Sequence, residues 1–299
     1  MTQFRDWVGG ARPRTLPLAI APVITASAPA VVAHQARPLF AAGAGAVSLL
    51  LQVGVNFAND YSDGVRGTDA ERVRTGGPVR LVGQGLATPA AVKRAAFICF
   101  ALAAIAGLLT AAASGHWLVI AIGAAAIPAA WFYTGGSRPY GYAGLGEVFV
   151  FLFFGLAAAA GTDLVQTGAV HTSTWWLGSG QGLLASAVLM VNNLRDIGTD
   201  VSHGKRTLAV RLGDKRARAA FIAMLIVAAL CLAIGCAAVM SVQASLLVLL
   251  ATLLGSISLI RAVGRGAQGR DLVAVLAGTG RLALVCAVLI LACAVVTGW

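Results

Sequence analysis

Apolar residues in this chain come in long unbroken runs rather than in the alternating or two-faced patterns of soluble strands and helices. A helix needs about 17 to 25 such residues to cross a bilayer. Runs of that kind lie near residues 15 to 33, 38 to 58, 95 to 113, 117 to 134, 145 to 162, 174 to 193, 218 to 239, 243 to 261 and 281 to 298. The pattern predicts an all-α, polytopic membrane protein of nine transmembrane helices in a single bundle. The first run contains Pro17, Pro22 and Pro29, so a kink is expected there. No linker or low-complexity segment separates a second unit, and residues 1–299 read as one domain.

Composition sharpens the picture. The chain is 59% hydrophobic and 11% charged, against about 25% charged residues in an average soluble domain. Basic residues gather in cytoplasmic loops. With the N-terminus inside, all of the 22 basic residues except Arg37 fall on the cytoplasmic side, and the C-terminus falls outside. The same asymmetry accounts for the net charge of +11. No nucleic-acid-binding motif accompanies it, so no nucleic-acid partner is expected. Met1 to Arg14 is polar and the first apolar run lacks a cleavage site, so that run is expected to stay as a helix. Cys99, Cys231, Cys236, Cys286 and Cys293 fall inside spans without a close pair or a neighbouring histidine, which supports neither a disulfide framework nor a zinc site.

Two acidic clusters stand out on this background. Asn59, Asp60, Tyr61, Ser62 and Asp63, with Asp69, follow the second run; Asn192, Asn193, Leu194, Arg195 and Asp196, with Asp200, follow the sixth. They contain five of the chain's eleven carboxylates. A charge at the edge of a membrane helix must be solvated, paired or bound to metal. Asp60 and Asp63 are three apart and Asp196 and Asp200 four apart, so each pair shares one face on helical geometry. The two clusters echo one another and predict two similar halves facing a shared central site on the cytoplasmic side.

Hard carboxylate oxygens select Mg²⁺, or Mn²⁺, over softer metals, and magnesium commonly bridges a few carboxylates to substrate phosphates. Cations to hold such phosphates surround the clusters: Arg66, Arg72, Arg74, Arg80, Arg138, Lys205, Arg206 and Arg211. An isoprenyl diphosphate fits this description, with its head at the metal and its tail among the helices. Departure of diphosphate leaves an allylic cation, which aromatic faces stabilise by about 0.5 to 2 kcal/mol each. Tyr61, Trp131, Tyr133, Tyr140, Phe149, Phe153 and Phe154 are candidates, although phenylalanines at helical spacing more often face core or lipid. The Gly-rich segment from Thr134 to Tyr142 is a candidate lid.

These residues resemble the UbiA superfamily of membrane prenyltransferases. The resemblance runs from about residue 7 to 285. It is carried by Gly10 to Pro17, Asn56 with Asn59 to Gly64 and Gly67 to Asp69, Gly77 to Val82, Tyr133 to Tyr142, and Asn192 to Asp200 continuing through Gly204 to Gly213. In the wider superfamily a third aspartate stands four residues after the second; here Gly67 takes that place and the carboxylate comes at Asp69, as in the naphthoate branch. The resemblance implies that Asp60, Asp63, Asp196 and Asp200 hold two Mg²⁺ ions and serve catalysis, with Asp69 as a further metal candidate. It implies diphosphate contacts from Asn59, Arg66, Arg80, Arg138, Lys205 and Arg206. Asn56, Tyr61, Tyr133, Tyr140 and Asn193 are then the candidates for holding the acceptor or the cation. The implied reaction moves a chain from a polyprenyl diphosphate to 1,4-dihydroxy-2-naphthoate, with loss of carboxylate and diphosphate, in the bacterial cytoplasmic membrane and in contact with its lipid.

Competing readings fit less of the chain. Asp60, Asp63 and Gly64 match the start of a CDP-alcohol phosphotransferase signature, but Gly67 and Thr68 break it. An ion-coupled transporter would place its carboxylates near the bilayer midplane, whereas these sit at helix ends among basic loops. Within the superfamily, 4-hydroxybenzoate or homogentisate is the alternative acceptor.

Overall fold

Each apolar run is helical in the computed structural model, which describes residues 3–67 and 79–298. Asp69, Arg72 and Arg74 lie outside the described residues. Among the described residues there is no strand. A short helix α1 (Phe4–Gly10) leads through a 3₁₀ turn into α2 (Leu16–Ala26) and α3 (Ala28–Val32). The break between α2 and α3 falls at Ser27, within the proline-rich run that predicts a kink. There follow α4 (Pro38–Val65), α5 (Pro89–Ser114), α6 (Leu118–Phe132) and α7 (Gly146–Phe151). The helix α7 passes through a π-helical turn, Leu152–Ala157, into α8 (Ala158–Thr167). The chain ends with α9 (Thr172–Arg195), α10 (Ile197–Ser202), α11 (Leu208–Ala237), α12 (Val242–Gly264) and α13 (Gly269–Thr297).

Several helices outrun the apolar windows that predict them. The hydrogen-bonded spiral continues past the last apolar residue, because a helix end is set by caps and not by hydropathy. Thus α4 extends to Val65 and carries the first acidic cluster in its last turns. Helix α5 begins at Pro89, where Thr88 accepts the Ala91 amide as N-cap. Helix α11 starts at Leu208 behind the Thr207 cap, and Gly213, at φ +73°, breaks its first turns from the rest.

By length and composition, seven helical segments among the described residues can cross a membrane, counting α1 to α3 as one and α7 to α8 as one. The predicted fourth span is the shorter α6, of 15 residues. The predicted sixth is α9, which mixes Gln181, Asn192, Asn193, Arg195 and several Ser and Thr residues with its apolar ones. These two explain why apolar runs and spans of crossing length do not coincide in number.

Helix α9 is the axis of the larger core, packed on α2, α11 and α13, with Leu184, Met190, Phe221, Leu225 and Ile290 fully buried. Its approach to the π turn is a contact of main chains. A Cβ placed on Gly155 would stand 2.6 Å from both the Gly178 carbonyl oxygen and the Gly182 Cα. Any larger residue there would push the two segments apart. A second core joins α4, α5 and α6 through Phe57, Val92, Phe100 and Ala130, and takes in Leu81 from the loop after α4. Facing outward, Phe97, Ile98, Leu102, Ile105 and Leu109 on α5 and Leu246, Leu247, Leu250 and Leu254 on α12 leave large apolar side chains exposed. A lipid environment covers such a surface without cost.

Candidate active site

Both acidic clusters open onto one cavity of about 870 Å³ lined by residues of α2, α4 to α10 and α13. One end is polar, lined by Arg12, Asn59, Asp63, Arg80, Asp200 and Lys205. Away from it the walls become aromatic, with Tyr133, Tyr140, Phe149 and Phe153, and then aliphatic, with Ala103 and Gly107 of α5, Ile120 and Gly123 of α6, and Val165 of α8.

Asp63 is the hub of the polar end. Its carboxylate is buried and accepts from Lys205 Nζ at 3.0 Å, from the Tyr142 hydroxyl, and stands 3.9 Å from Arg80 Nη1. The Lys205 ammonium also lies 4.3 Å from the centre of the Tyr142 ring. Burial first, and then the adjacent Asp63 carboxylate, push the Tyr142 phenol above its ordinary range, so it stays a hydrogen-bond donor. Burial does the same to Tyr140, whose hydroxyl donates to the Ala129 carbonyl at 2.8 Å.

Asp60, one turn earlier on α4, turns the other way. It is fully buried, and its Oδ2 and Oδ1 accept the amides of Leu81 at 2.8 Å and Val82 at 3.0 Å. It is absent from the cavity lining. Its visible work is to anchor the loop that delivers Arg80. Asn59 accepts from the Thr134 hydroxyl at 2.7 Å, which ties α4 to the Gly-rich segment.

In the second cluster the helix breaks at Asp196, which closes α9 and opens α10. The Arg195 guanidinium holds the Asp196 carboxylate with Nε and Nη2 at 2.7 and 2.9 Å, a bidentate pairing. Asp200, on α10, lines the cavity, as do Asn192, Asn193 and Arg195.

Other expected site residues are placed elsewhere. The Arg66 guanidinium donates to the carbonyls of Thr134 and Gly136 and contacts Tyr142, so it fastens the Gly-rich segment instead of facing the cavity. Arg138 and Arg206 are exposed and are not among the lining residues. Tyr61 packs on Trp131 with ring centres 6.1 Å apart and lies 5.6 Å from Lys93 Nζ, outside the cavity lining. Asn56 lines the cavity, but its amide is spent on the N-terminal segment, donating to the Ala11 carbonyl at 2.8 Å and Thr15 Oγ1 at 3.0 Å. Tyr133 and Tyr140 do stand at the aromatic section, where Tyr140 stacks on Phe149 with centres 4.0 Å apart.

Among the described residues no three His, Cys, Asp or Glu side chains form a ready metal cage. The donors at the polar end are nonetheless hard oxygens, from Asn59, Asp63, Asn192 and Asp200, beside cations. That set suits Mg²⁺ whose shell is completed by phosphate oxygens. Sequence reasoning does not single out Arg12, Tyr142 and Arg195 as site residues. All three lie within the very stretches that carry the resemblance, and their spacing alone does not tell a side chain that faces a cavity from one that faces solvent.

The fold, the paired acidic clusters and the long apolar cavity define a membrane enzyme with a charged head site and a greasy tail site. Residues 18–272 match the UbiA prenyltransferase family, and the chain belongs to it. The 1,4-dihydroxy-2-naphthoate octaprenyltransferase of Mycobacterium tuberculosis is 53% identical over 232 residues, 76% of this chain and 77% of that protein. The enzyme of the same name from Mycobacterium leprae is 45% identical over 291 residues, 96% of this chain and 95% of its own. A UbiA homolog from Archaeoglobus fulgidus, solved bound to GPP and Mg²⁺, shares the fold with a TM-score of 0.70 over 97% of this chain and 99% of its own, at 12% identity.

Proposed function

We propose that this prenyltransferase moves a polyprenyl chain from its diphosphate to 1,4-dihydroxy-2-naphthoate, giving a demethylmenaquinol of menaquinone biosynthesis. The carbon–oxygen bond to diphosphate breaks, a carbon–carbon bond to the ring forms, and the ring carboxylate leaves as carbon dioxide. The observation that carries this reading is the continuity of the cavity from the Asp63, Lys205 and Asp200 end, through the aromatic section, to the aliphatic end. One ligand with a charged head and a long apolar tail matches all three sections. The naphthoate acceptor is supported by the relatives above.

In this reading Asp63 and Asp200, which line the cavity, would hold the metal. Asp60 stands behind them, anchoring the Arg80 loop, and Asp196 is kept in place by Arg195. Bound Mg²⁺, or Mn²⁺, would neutralise the diphosphate and stabilise its charge as it departs. Lys205 and Arg80 turn from the carboxylate to the phosphate oxygens, and Arg195 is within the same lining. Tyr133, Tyr140 and Phe149 shield the allylic carbon from water and offer their faces to its charge. Asn193 meets the acceptor. The polar end faces the cytoplasm, with nine spans and an inside N-terminus, a topology supported by the distribution of basic residues.

The test is turnover by purified protein of a polyprenyl diphosphate with 1,4-dihydroxy-2-naphthoate, 4-hydroxybenzoate and homogentisate in parallel, read by mass spectrometry. Prenylated, decarboxylated product from the naphthoate alone is expected, and only when Mg²⁺ is present. Preference for either monocyclic acceptor would overturn the acceptor assignment.

A further inference from the structure

Glu147 is a carboxylate that the reaction described above does not use. It lies in α7, at 4% exposure, directly behind the cavity wall. Its Oε1 accepts from Asn193 Nδ2 at 2.9 Å, while its Oε2 is buried with no hydrogen-bond partner among the described residues. It forms no ion pair among the described residues. A carboxylate so placed is costly: a buried acceptor left unsatisfied costs about 1 to 3 kcal/mol, and more when charged. An amide or apolar side chain would pack this site at lower cost, so the carboxylate must be doing something that those cannot.

What it does is visible in its partner. Asn193 lines the cavity, and its amide has two chemically opposite ends. The NH₂ end of Asn193 donates to Glu147, so the carbonyl Oδ1 is turned away from it. Among the described residues nothing donates to that Oδ1. The neighbouring backbone holds the pair in register: the Ser186 hydroxyl, two turns earlier on α9, donates to the Glu147 carbonyl at 2.9 Å. Next to Glu147, Gly146 abuts Tyr133, since a Cβ there would come within 3.3 Å of the ring. The Tyr133 side chain and Asn193 therefore line adjacent parts of the cavity.

We propose that Glu147 is a positioning residue for the aromatic acceptor: by holding the Asn193 amide in one orientation, it presents Oδ1 to the cavity as a fixed hydrogen-bond acceptor for a ring hydroxyl. This rests on the prenyltransferase reading above and deepens it, because it names the group that recognises the hydroxylated ring. A polyprenyl diphosphate has no hydroxyl to donate, so the effect is confined to the acceptor.

Glu147→Gln tests it, since the carboxamide keeps the shape but can face Asn193 with either end. The expected result is a rise of about tenfold in KM for 1,4-dihydroxy-2-naphthoate, the loss of about one oriented hydrogen bond, with KM for the polyprenyl diphosphate unchanged and the thermal midpoint retained. In an Asn193→Ala background, Glu147→Gln should add nothing further, because the residue acts through that amide. Glu147→Asp, which keeps the acceptor-only group, should recover part of the loss. An unchanged naphthoate KM in a folded Glu147→Gln protein, or fully additive effects in the double variant, would overturn the positioning role. A wild-type protein that does not prenylate the naphthoate at all would overturn the underlying reading, and the proposal with it.

Discussion

The Lys205 ammonium stands 3.0 Å from Asp63 Oδ1, joining the loop before α11 to the last turns of α4 across 142 residues of sequence. Both side chains are almost wholly buried, at 5% and 6% exposure. The two groups, proposed above to receive phosphate and metal, thus neutralise one another in the structure. This protects against the cost of an unpaired buried charge, which exceeds the value of the pair itself.

Removal of either partner should therefore reduce both activity and stability. Asp63→Ala and Lys205→Met should each lower turnover by about 100-fold, as expected for loss of a group that stabilises developing charge. Each should also lower the unfolding midpoint, and the double variant should unfold later than the worse single variant because the Asp63 and Lys205 charges leave together, neither stranded without the other. Thermal unfolding in detergent measures this, and strictly additive losses of stability would refute the pairing.

Asp60→Ala should behave differently. Its carboxylate accepts two main-chain amides, so its loss leaves Leu81 and Val82 unsatisfied at about 1 to 3 kcal/mol each. The loop bearing Arg80 should exchange its amide hydrogens faster, with α5 and α9 unaffected. Activity should fall together with that protection. A fully protected 79–86 loop in an inactive variant would return Asp60 to a direct role in metal binding.

The two tyrosines nearest the first cluster make a contrasting pair. Tyr142→Phe deletes the hydroxyl that donates to Asp63 and should cost about tenfold in turnover. Tyr61→Phe alters a ring packed on Trp131 outside the cavity and should change turnover by less than about twofold. The reverse ranking would put Tyr61 in the site.

Metal and diphosphate should bind cooperatively. Arg195 occupies Asp196, and Lys205 and Tyr142 occupy Asp63, so phosphate oxygens should be needed to draw the two cations away before metal can bind. Hydrogen exchange in the segments around Gly135 and Gly204 should fall when Mg²⁺ and a non-hydrolysable polyprenyl diphosphate analogue are added together, and much less with either alone. Equal protection by Mg²⁺ alone would mean that the carboxylates form a preassembled cage. Chelation of the metal should abolish diphosphate release.

Sidedness is open to direct labelling. A cysteine placed at Arg265, in the loop between α12 and α13, should react with a membrane-impermeant reagent only in inverted vesicles. One placed at Ala169, between α8 and α9, should react only in right-side-out cells. Reaction of both from one side would rule out the nine-span topology.

Much of this molecule is legible in the amino-acid sequence alone. Apolar runs locate the helices, because a helix in lipid must satisfy its own main chain and show a greasy surface for its whole crossing. Basic loops and the two aspartate clusters mark the reactive end, because charge is too costly in a membrane to be left without purpose. The segments carrying Asn59 to Asp63 and Asn192 to Asp200 also point to the family. Spacing does not decide which way each side chain turns. Asp60 and Asp63 are three residues apart, yet one meets the amides of Leu81 and Val82 while the other meets Lys205. Arg66 and Arg80 belong to the same cationic stretch, but one fastens the Gly-rich segment and the other lines the cavity. Glu147 lies 46 residues from Asn193 and bonds to it only because α7 packs on α9. Composition and periodicity are properties of neighbours along the chain, whereas a site is made where distant helices meet, and only their packing decides which polar groups share a partner.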